Sequence, residues 1–224
     1  MQLFHLFAFV AVAIAQDLST KNVKDAFYKA RIPQDTGINF NPTAVLEVAF
    51  PQQYNLPFLF HTGEHVPINS TTEPPMFSLL TGGSSSSRSQ KANCTYSKDQ
   101  KFVVTLFDPD ANTPEDSTIA QVRHFLGGNF SPLLDHEFPS GINIPLPLVN
   151  STPAVSEWVH PQPPPASGLH RYIFLAFKQP EGFDQQTLVT AQTSVLGWNL
   201  THFAASVGLG DPIAGTYMLV SHEY

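Results

Sequence analysis

The spacing of its apolar runs constrains the fold of this chain more than any other sequence feature. The runs are short, rich in branched and aromatic side chains, and occupy residues 44–50, 77–80, 102–107, 122–126, 171–177, 187–196 and 216–220. Most of the 20 prolines lie between them, where a residue without a backbone N–H can end a strand without interrupting a sheet. The pattern predicts a mainly β fold, an antiparallel β-sandwich with a few short peripheral helices.

Two segments have helical spacing instead. Residues 21–31 carry apolar side chains at helical intervals behind two candidate N-caps, and Pro33 is expected to end that helix. Residues 200–207 predict a second helix, which Gly208 would close. Residues 82–89 are a glycine and serine tract, which is typical of a surface excursion.

The amino-terminal residues resemble a secretory signal. An apolar run from about Leu3 to Ile14 ends in Ala-Ile-Ala at 13–15, the small-x-small pattern of a signal peptidase site, although no lysine or arginine precedes the run. The run is too short to span a bilayer. We expect residues 1–15 to be a signal peptide and residues 16–224 to form a single domain that is secreted or retained in the secretory pathway or vacuole.

Candidate glycosylation sites support that route. Asn-x-Ser/Thr sequons occur at Asn69, Asn93, Asn129, Asn150 and Asn199. A lone cysteine, Cys94, leaves no partner for a disulfide within the chain, so the thiol is either incidental or bridges to another chain.

The charge balance excludes several classes of partner. The net charge of −7 gives no support to binding of nucleic acid or of an anionic membrane surface. No second apolar span and no hydrophobic carboxyl-terminal tail follow, so no transmembrane anchor is expected. We expect a monomer.

Two acids and two histidines lie at the ends of predicted strands. Asp108 and Asp110 flank a proline directly after the run 102–107, a pattern that by itself predicts only a turn. A proline-rich loop runs into the strand 171–177, and His170 and Tyr172, two residues apart, share one face of it. Arg171 points to the opposite face, and we expect it to be a structural partner of Asp110.

Four motifs in order carry a resemblance to a known family. They are Asp-Pro-Asp-Ala at 108–111, His-Phe-Leu at 124–126, Pro-Pro at 163–164 followed by Gly-Leu-His-Arg-Tyr at 168–172, and Pro-Ile-Ala-Gly-Thr at 212–216. In these motifs the chain resembles the phosphatidylethanolamine-binding protein family, which includes the Raf kinase inhibitor proteins and the plant flowering regulators.

The resemblance implies a β-sandwich with a small pocket for anionic groups, such as phosphate or a phospholipid head group like phosphoethanolamine. Carried over by position, the pocket residues are Asp108, Asp110, His124, Pro163, His170 and Tyr172. Protonated imidazoles and a phenol can donate to phosphate oxygens, and a carboxylate can orient an imidazole. The implied function is non-enzymatic binding without a cofactor. A rival is protein interaction, because fungal relatives inhibit a serine carboxypeptidase and other relatives bind kinases.

The chain departs from the family pattern around the implied pocket. Asn112 replaces a proline, Val122 and Arg123 replace an aromatic residue and a histidine, and residues 160–162 replace a glycine-rich approach. The sequence also stops at Tyr224, soon after the last predicted strand, which predicts a more open pocket mouth than in animal relatives.

Catalytic alternatives are weaker. Residues 61–65 match the His-x-x-Glu-His pattern of a zinc protease, but a central glycine and flanking prolines favour a loop over the helix that this chemistry needs. A metal-dependent hydrolase built on Asp108, His124 and His170 is the minor alternative, and we favour a hydrogen-bonded pocket without metal. No segment places a nucleophile beside a base, and hydrolase and nucleotide-binding motifs are missing, so we expect no enzymatic activity.

Overall fold

Antiparallel strands make up most of the protein. The computed structural model describes residues 19–81, 96–97, 99–111, 121–133 and 145–222. In these residues eight strands are hydrogen-bonded in the order β2-β1-β3-β6-β5-β4-β7-β8. They are β1 (Ala44–Phe50), β2 (Phe58–Leu59), β3 (Met76–Thr81), β4 (Phe102–Asp108), β5 (Val122–Pro132), β6 (Leu146–Asn150), β7 (His170–Lys178) and β8 (Ala214–Val220). The expected mainly β, antiparallel fold is confirmed.

The sheet curls so that strands far apart in this order meet. The backbone N–H groups of Thr43 and Ala44, at the start of β1, donate to the carbonyl of Ile213 beside β8. Val66 donates to the carbonyl of Leu219 within β8 at 2.9 Å. Strand β4 is buried along its whole length, which explains why its sequence is a continuous apolar run and does not alternate.

Two apolar cores lie on the two faces of the sheet. One is rich in phenylalanine and includes Phe50, Phe77 and Phe174, with Trp158 packed against it. The other lies under the helices, where Phe27 stacks on Phe40 with ring centroids 3.9 Å apart. The aromatic residues of the chain therefore act chiefly as core.

The helices are α1 (Thr20–Lys29), α2 (Ile32–Thr36) and α3 (Leu200–Val207), with 3₁₀ turns at Ile68–Thr71 and Phe183–Gln185. The first and last were predicted. Gly208 closes α3 with a φ of 73°, as expected, and Asn199 caps its start by accepting from His202 N. Pro33 does not simply end a helix, because it lies in the first turn of α2, where the missing N–H costs nothing.

The predicted strand at 187–196 is wrong. This segment consists of turns, and its threonine side chains satisfy the backbone locally: Thr193 Oγ1 accepts from Thr190 N at 2.9 Å. Strand β6 was missed because Pro145 and Pro147 make its sequence unlike that of a central strand. β6 pairs with β3 and with β5 over short stretches only, so the sheet accommodates Pro147, which has no backbone N–H to donate.

The zinc-protease pattern at 61–65 is a turn, as expected. Glu64 N donates to the carbonyl of His61, and His61 N donates back to the Glu64 carboxylate. Gly63 has a φ of 87°. His61 and His65 are therefore not on one helical face, and the interpretation of this segment as a zinc-protease motif is wrong.

Several predictions concern residues outside the described ranges. These are the signal peptide at 1–15, the tract at 82–89, Asn93, Cys94, Asn112 and Tyr224. Among the residues that are described, no helix is long and apolar enough to cross a membrane.

Candidate functional site

Asp108 and His170 form the centre of the site. They lie at the end of β4 and the start of β7, which are neighbouring antiparallel strands. His170 Nδ1 lies 2.8 Å from Asp108 Oδ2, and both side chains are almost fully buried, at 2% and 1% exposure. The other Asp108 oxygen accepts from the backbone N–H of Asp110 at 2.7 Å, so the turn after β4 fixes the carboxylate.

Phe107 of β4 pairs with Ile173 of β7, so the next residues along the two antiparallel strands, Asp108 and Tyr172, lie opposite each other. Burial raises the pKa of the Tyr172 phenol, and the charge of Asp108 raises it further. The phenol therefore stays protonated and can donate a hydrogen bond. Its ring lies edge-on to His124, with centroids 5.0 Å apart.

A β-bulge brings His124 to this group. Leu106 pairs with Phe125 but Phe107 pairs with Arg123, so His124 is the extra residue of β5. Its Nδ1 lies 2.7 Å from the carbonyl of Val159, which can only accept, so Nδ1 carries a proton. Burial lowers the pKa of His124, and the neutral ring leaves Nε2 as an acceptor.

The pKa of His170 is shifted in the direction opposite to that of His124. Burial alone lowers its pKa, but the hydrogen bond to Asp108 and the charges of Asp108 and Asp110 outweigh this, and the net pKa is raised. A protonated ring donates from both nitrogens. His170 Nε2 lies 2.9 Å from the hydroxyl of Ser167. When His170 is protonated, the candidate site, defined as Asp108, His124, His170 and Tyr172, holds one imidazolium and one neutral imidazole.

Ser167 corrects the expectation that no nucleophile lies beside a base. Its contact with His170, and that of His170 with Asp108, resembles the serine–histidine–aspartate arrangement of hydrolases. In a catalytic triad the serine hydroxyl donates to the histidine, and here the hydrogen bond runs in the opposite direction. The Ser167 hydroxyl donates to the carbonyl of Pro164 at 2.7 Å, so it accepts from His170 and its proton is not directed at a base.

The expected pairing of Arg171 with Asp110 is confirmed. Arg171 Nε and Nη2 donate to the two Asp110 oxygens at 2.8 and 2.7 Å. Nη1 reaches the carbonyl of Ala30 at 2.6 Å and Asp35 at 2.8 Å. The hydrogen bonds that Arg171 donates to Asp110 are the main reason why the pKa of Arg171 is raised. Asp110 therefore supports the turn below the candidate site through Arg171.

The loop before β7 provides the remaining residues. Pro163 is buried in it. His160 and Gln162, among the departures from the family pattern, contact each other at 2.8 Å between their side-chain nitrogens. The charge of His160 contributes to lowering the pKa of His124, which places His160 near the candidate site. Sequence reasoning missed Ser167, and its only signal was its place three residues before His170.

Arg123 lies away from the candidate site, on the other face of β5. Its guanidinium lies over the Trp198 ring, 5.6 Å from the centroid, and Nη2 donates to the carbonyl of Thr193. This departure from the family pattern therefore supports the segment 187–196 and does not line the site.

The sequons differ in accessibility. Asn69, Asn150 and Asn199 are exposed. Asn129 is buried, and its amide donates to Thr152 at 3.2 Å and to Asp184 at 2.8 Å. Asn93 lies outside the described residues.

No set of three or more metal-ligating side chains occurs in the part of the chain that the structure describes. What the candidate site offers is an imidazolium, a phenol and a neutral imidazole around one carboxylate. Such a set can bind an anionic oxygen and, through Asp108 and the free His124 nitrogen, a neighbouring donor group.

Comparison with known proteins identifies the family of the chain. The model of the family described as phosphatidylethanolamine-binding protein matches residues 60–218. The carboxypeptidase Y inhibitor of Saccharomyces cerevisiae is 26% identical over 167 residues, which cover 71% of this chain and 74% of that protein.

Solved structures show the same fold. A crystal structure of carboxypeptidase Y inhibitor complexed with the cognate proteinase superposes with a TM-score of 0.68 at 20% identity, covering 90% of this chain and 95% of that one. A phosphatidylethanolamine-binding protein from Plasmodium vivax gives a TM-score of 0.56 at 11% identity, covering 88% and 95%. The chain belongs to the phosphatidylethanolamine-binding protein family. This membership and the inhibitor relative support a binding or inhibitory role.

Proposed function

We propose that this protein is a non-enzymatic binding protein whose candidate site holds a phosphate-type anion, such as a phospholipid head group like phosphoethanolamine. The observation that carries the proposal is the buried His170–Asp108 pair. It holds an imidazolium whose second nitrogen is directed at a hydroxyl on an exposed turn, the position that an anionic oxygen would take.

The test is a titration of the full chain with phosphoethanolamine, following histidine ring signals by NMR, with zinc in a parallel series. We expect saturable shifts of the His124 and His170 signals with the anion. His124→Ala/His170→Ala should abolish binding, and His170→Asn, which keeps the size and a donor, should weaken it. His202→Ala, at an exposed position on α3, is the matched control. Wild-type binding by the double variant would refute the site, and shifts with zinc alone would favour a metal site.

Inhibition of a serine carboxypeptidase is the second candidate function, favoured by the inhibitor relative and by the structural likeness to it. In this case a surface segment, for example the amino-terminal region, would occupy the protease active site. The measurement is the activity of purified carboxypeptidase Y with increasing amounts of this protein. Inhibition that survives His124→Ala/His170→Ala would place the inhibitory segment outside the candidate site, and an absence of inhibition would argue against this role for that protease.

We further propose secretion, or delivery to the secretory pathway or vacuole, through residues 1–15, with glycans on Asn69, Asn93, Asn150 and Asn199. Asn129 would need modification before folding, because its amide is hydrogen-bonded inside the protein. Amino-terminal sequencing and glycopeptide mapping of the protein from its own secretory pathway test both points. An intact Met1 would refute cleavage.

A further inference from the structure

The hydroxyl of Ser167 is the hydrogen-bond partner of His170 Nε2 among the described residues. His170 itself is 2% exposed, and its Nδ1 is taken by Asp108. Its Nε2 lies 2.9 Å from Ser167 Oγ, while Ser167 belongs to an exposed turn at 164–169. An external anion that binds this nitrogen must therefore replace the contact with Ser167.

The hydrogen bonds of Ser167 show what the hydroxyl does there. Both the hydroxyl and the backbone N–H of Ser167 donate to the carbonyl of Pro164, at 2.7 and 3.2 Å. The oxygen lone pairs are thus left to accept from His170. An acceptor oxygen at hydrogen-bond distance from an imidazolium is also what a phosphate would supply.

The turn that carries Ser167 is suited to opening. Ala166 and Gly168, on either side of Ser167, have φ values of 64° and 83°, and an alanine in this region carries backbone strain. The residues from 164 to 169 are exposed, so little apolar contact opposes their movement.

We propose that Ser167 is a built-in occupant of the anion position and that a ligand binds by displacing its hydroxyl from His170 Nε2. This inference rests on the proposed function. A formally charged oxygen forms a stronger hydrogen bond with the imidazolium than a neutral hydroxyl does, whereas a neutral ligand gains nothing by the exchange. Ser167 therefore selects charged oxyanions, such as phosphate monoesters, and lowers the apparent affinity for all ligands.

Four variants test this by the dissociation constants of phosphoethanolamine and inorganic phosphate, measured by calorimetry on the full chain. Ser167→Ala removes the competing hydroxyl and should bind both anions about two- to tenfold more tightly, the factor expected for one net hydrogen bond. Ser167→Thr keeps the hydroxyl and should bind like the wild type. Ser167→Asp places a tethered carboxylate beside His170 and should abolish binding. Ala166→Gly relaxes the turn but keeps the hydroxyl, and should stay within about twofold of the wild type.

The outcomes separate this inference from the proposed function. If the wild type binds but Ser167→Ala binds more weakly, Ser167 is a ligand contact and the inference is overturned, while the anion site stands. Equal affinities also overturn it. If Ala166→Gly tightens binding as much as Ser167→Ala does, turn flexibility and not the hydroxyl is responsible, which again overturns it. If neither the wild type nor Ser167→Ala binds either anion, the proposed function fails together with the inference.

Discussion

Asp110 accepts three hydrogen bonds from Arg171, two from the guanidinium at 2.7 and 2.8 Å and one from the backbone N–H at 2.9 Å. The pair joins the turn after β4 to the second residue of β7. His170 directly precedes Arg171, and Asp108 lies two residues before Asp110 and accepts from its backbone N–H. The contacts between Asp110 and Arg171 therefore support the distance between the two central groups of the candidate site.

Replacement of Arg171 should therefore destabilise the protein. Arg171→Met removes the guanidinium from the Asp110 carboxylate and leaves it only the backbone N–H of residue 171, and we expect a loss of about 2 to 4 kcal/mol in the free energy of unfolding. Arg171→Lys should lose about half as much, since an ammonium group keeps the charge but cannot form the two-pronged contact. Urea unfolding followed by circular dichroism gives both values. Asp25→Asn, which breaks only the exposed pair with Lys21, is the control and should cost less than about 0.5 kcal/mol.

Anion binding should weaken as the pH rises. The pKa of His170 is raised above its ordinary value of 6.5. Its positive charge is therefore complete at acidic pH and is lost as the pH passes through the raised pKa. Sulfate keeps its charge throughout, so its dissociation constant between about pH 5.5 and 9 should increase with pH in the wild type and change little in His170→Asn. A flat wild-type profile would contradict an imidazolium as the anion partner.

The two histidines should contribute to stability in opposite pH ranges. For His170, whose pKa is raised in the folded state, the stabilisation is present below the unfolded pKa and is lost as the pH rises through the folded value. For His124, whose pKa is lowered, the neutral ring is favoured above the unfolded pKa and stability is lost as the pH falls through the folded value. The measurement is the difference in unfolding free energy between the wild type and each of the variants His124→Gln and His170→Gln as a function of pH. With rising pH this difference should increase for His124→Gln and decrease for His170→Gln.

Asn129 should tolerate glycine better than alanine. The residue has a φ of 59°, where a β-carbon is strained, and its side chain is hydrogen-bonded to Thr152 and Asp184. Asn129→Ala loses the hydrogen bonds and keeps the strain, for about 2 to 4 kcal/mol, whereas Asn129→Gly should lose about 1 kcal/mol less. Thermal or urea unfolding resolves the difference. Asn69→Ala, at an exposed sequon, is the control, and an equal loss in both Asn129 variants would argue against backbone strain.

Ser167 should not react as a hydrolase nucleophile. Its proton is directed at the Pro164 carbonyl, and the raised pKa of the neighbouring His170 favours the protonated ring, which cannot accept the hydroxyl proton. A fluorophosphonate probe should therefore leave no adduct on Ser167 by mass spectrometry, and nitrophenyl acetate should show no burst of product. Labelling that disappears in Ser167→Ala would overturn the non-enzymatic assignment.

Strand periodicity alone placed Asp108 directly after one apolar run and His170 and Tyr172 on one face of another. That these residues share one site was implied by the family resemblance, and the structure brings them together because β4 and β7 are antiparallel neighbours. The role of Arg171 followed from the same alternation. For His124 the family resemblance supplied what the residues could not, because a bulge changes which face a side chain points to and has no local signature.

Two features of the structure were not predicted, and each has an identifiable structural cause. At 187–196, valine and leucine suggested a strand, but threonine and glutamine side chains bind the backbone and favour turns. The sequence did not indicate a role for Ser167, because a serine in a proline-rich loop belongs to no periodic pattern. Its contact with His170 depends on the positive φ angles of Ala166 and Gly168. Backbone geometry of this kind is decided by the whole fold and not by any window of sequence.

The bonds from Arg171 to Ala30 and Asp35 give the amino-terminal helices a role beyond covering the core. The same guanidinium that holds the turn after β4 also holds the junction between α1 and α2. Displacement of α1 and α2 together would remove both the Ala30 and the Asp35 acceptors from Arg171 and loosen the turn beneath Asp108. The amino-terminal helices and the candidate site are therefore linked through the single side chain of Arg171.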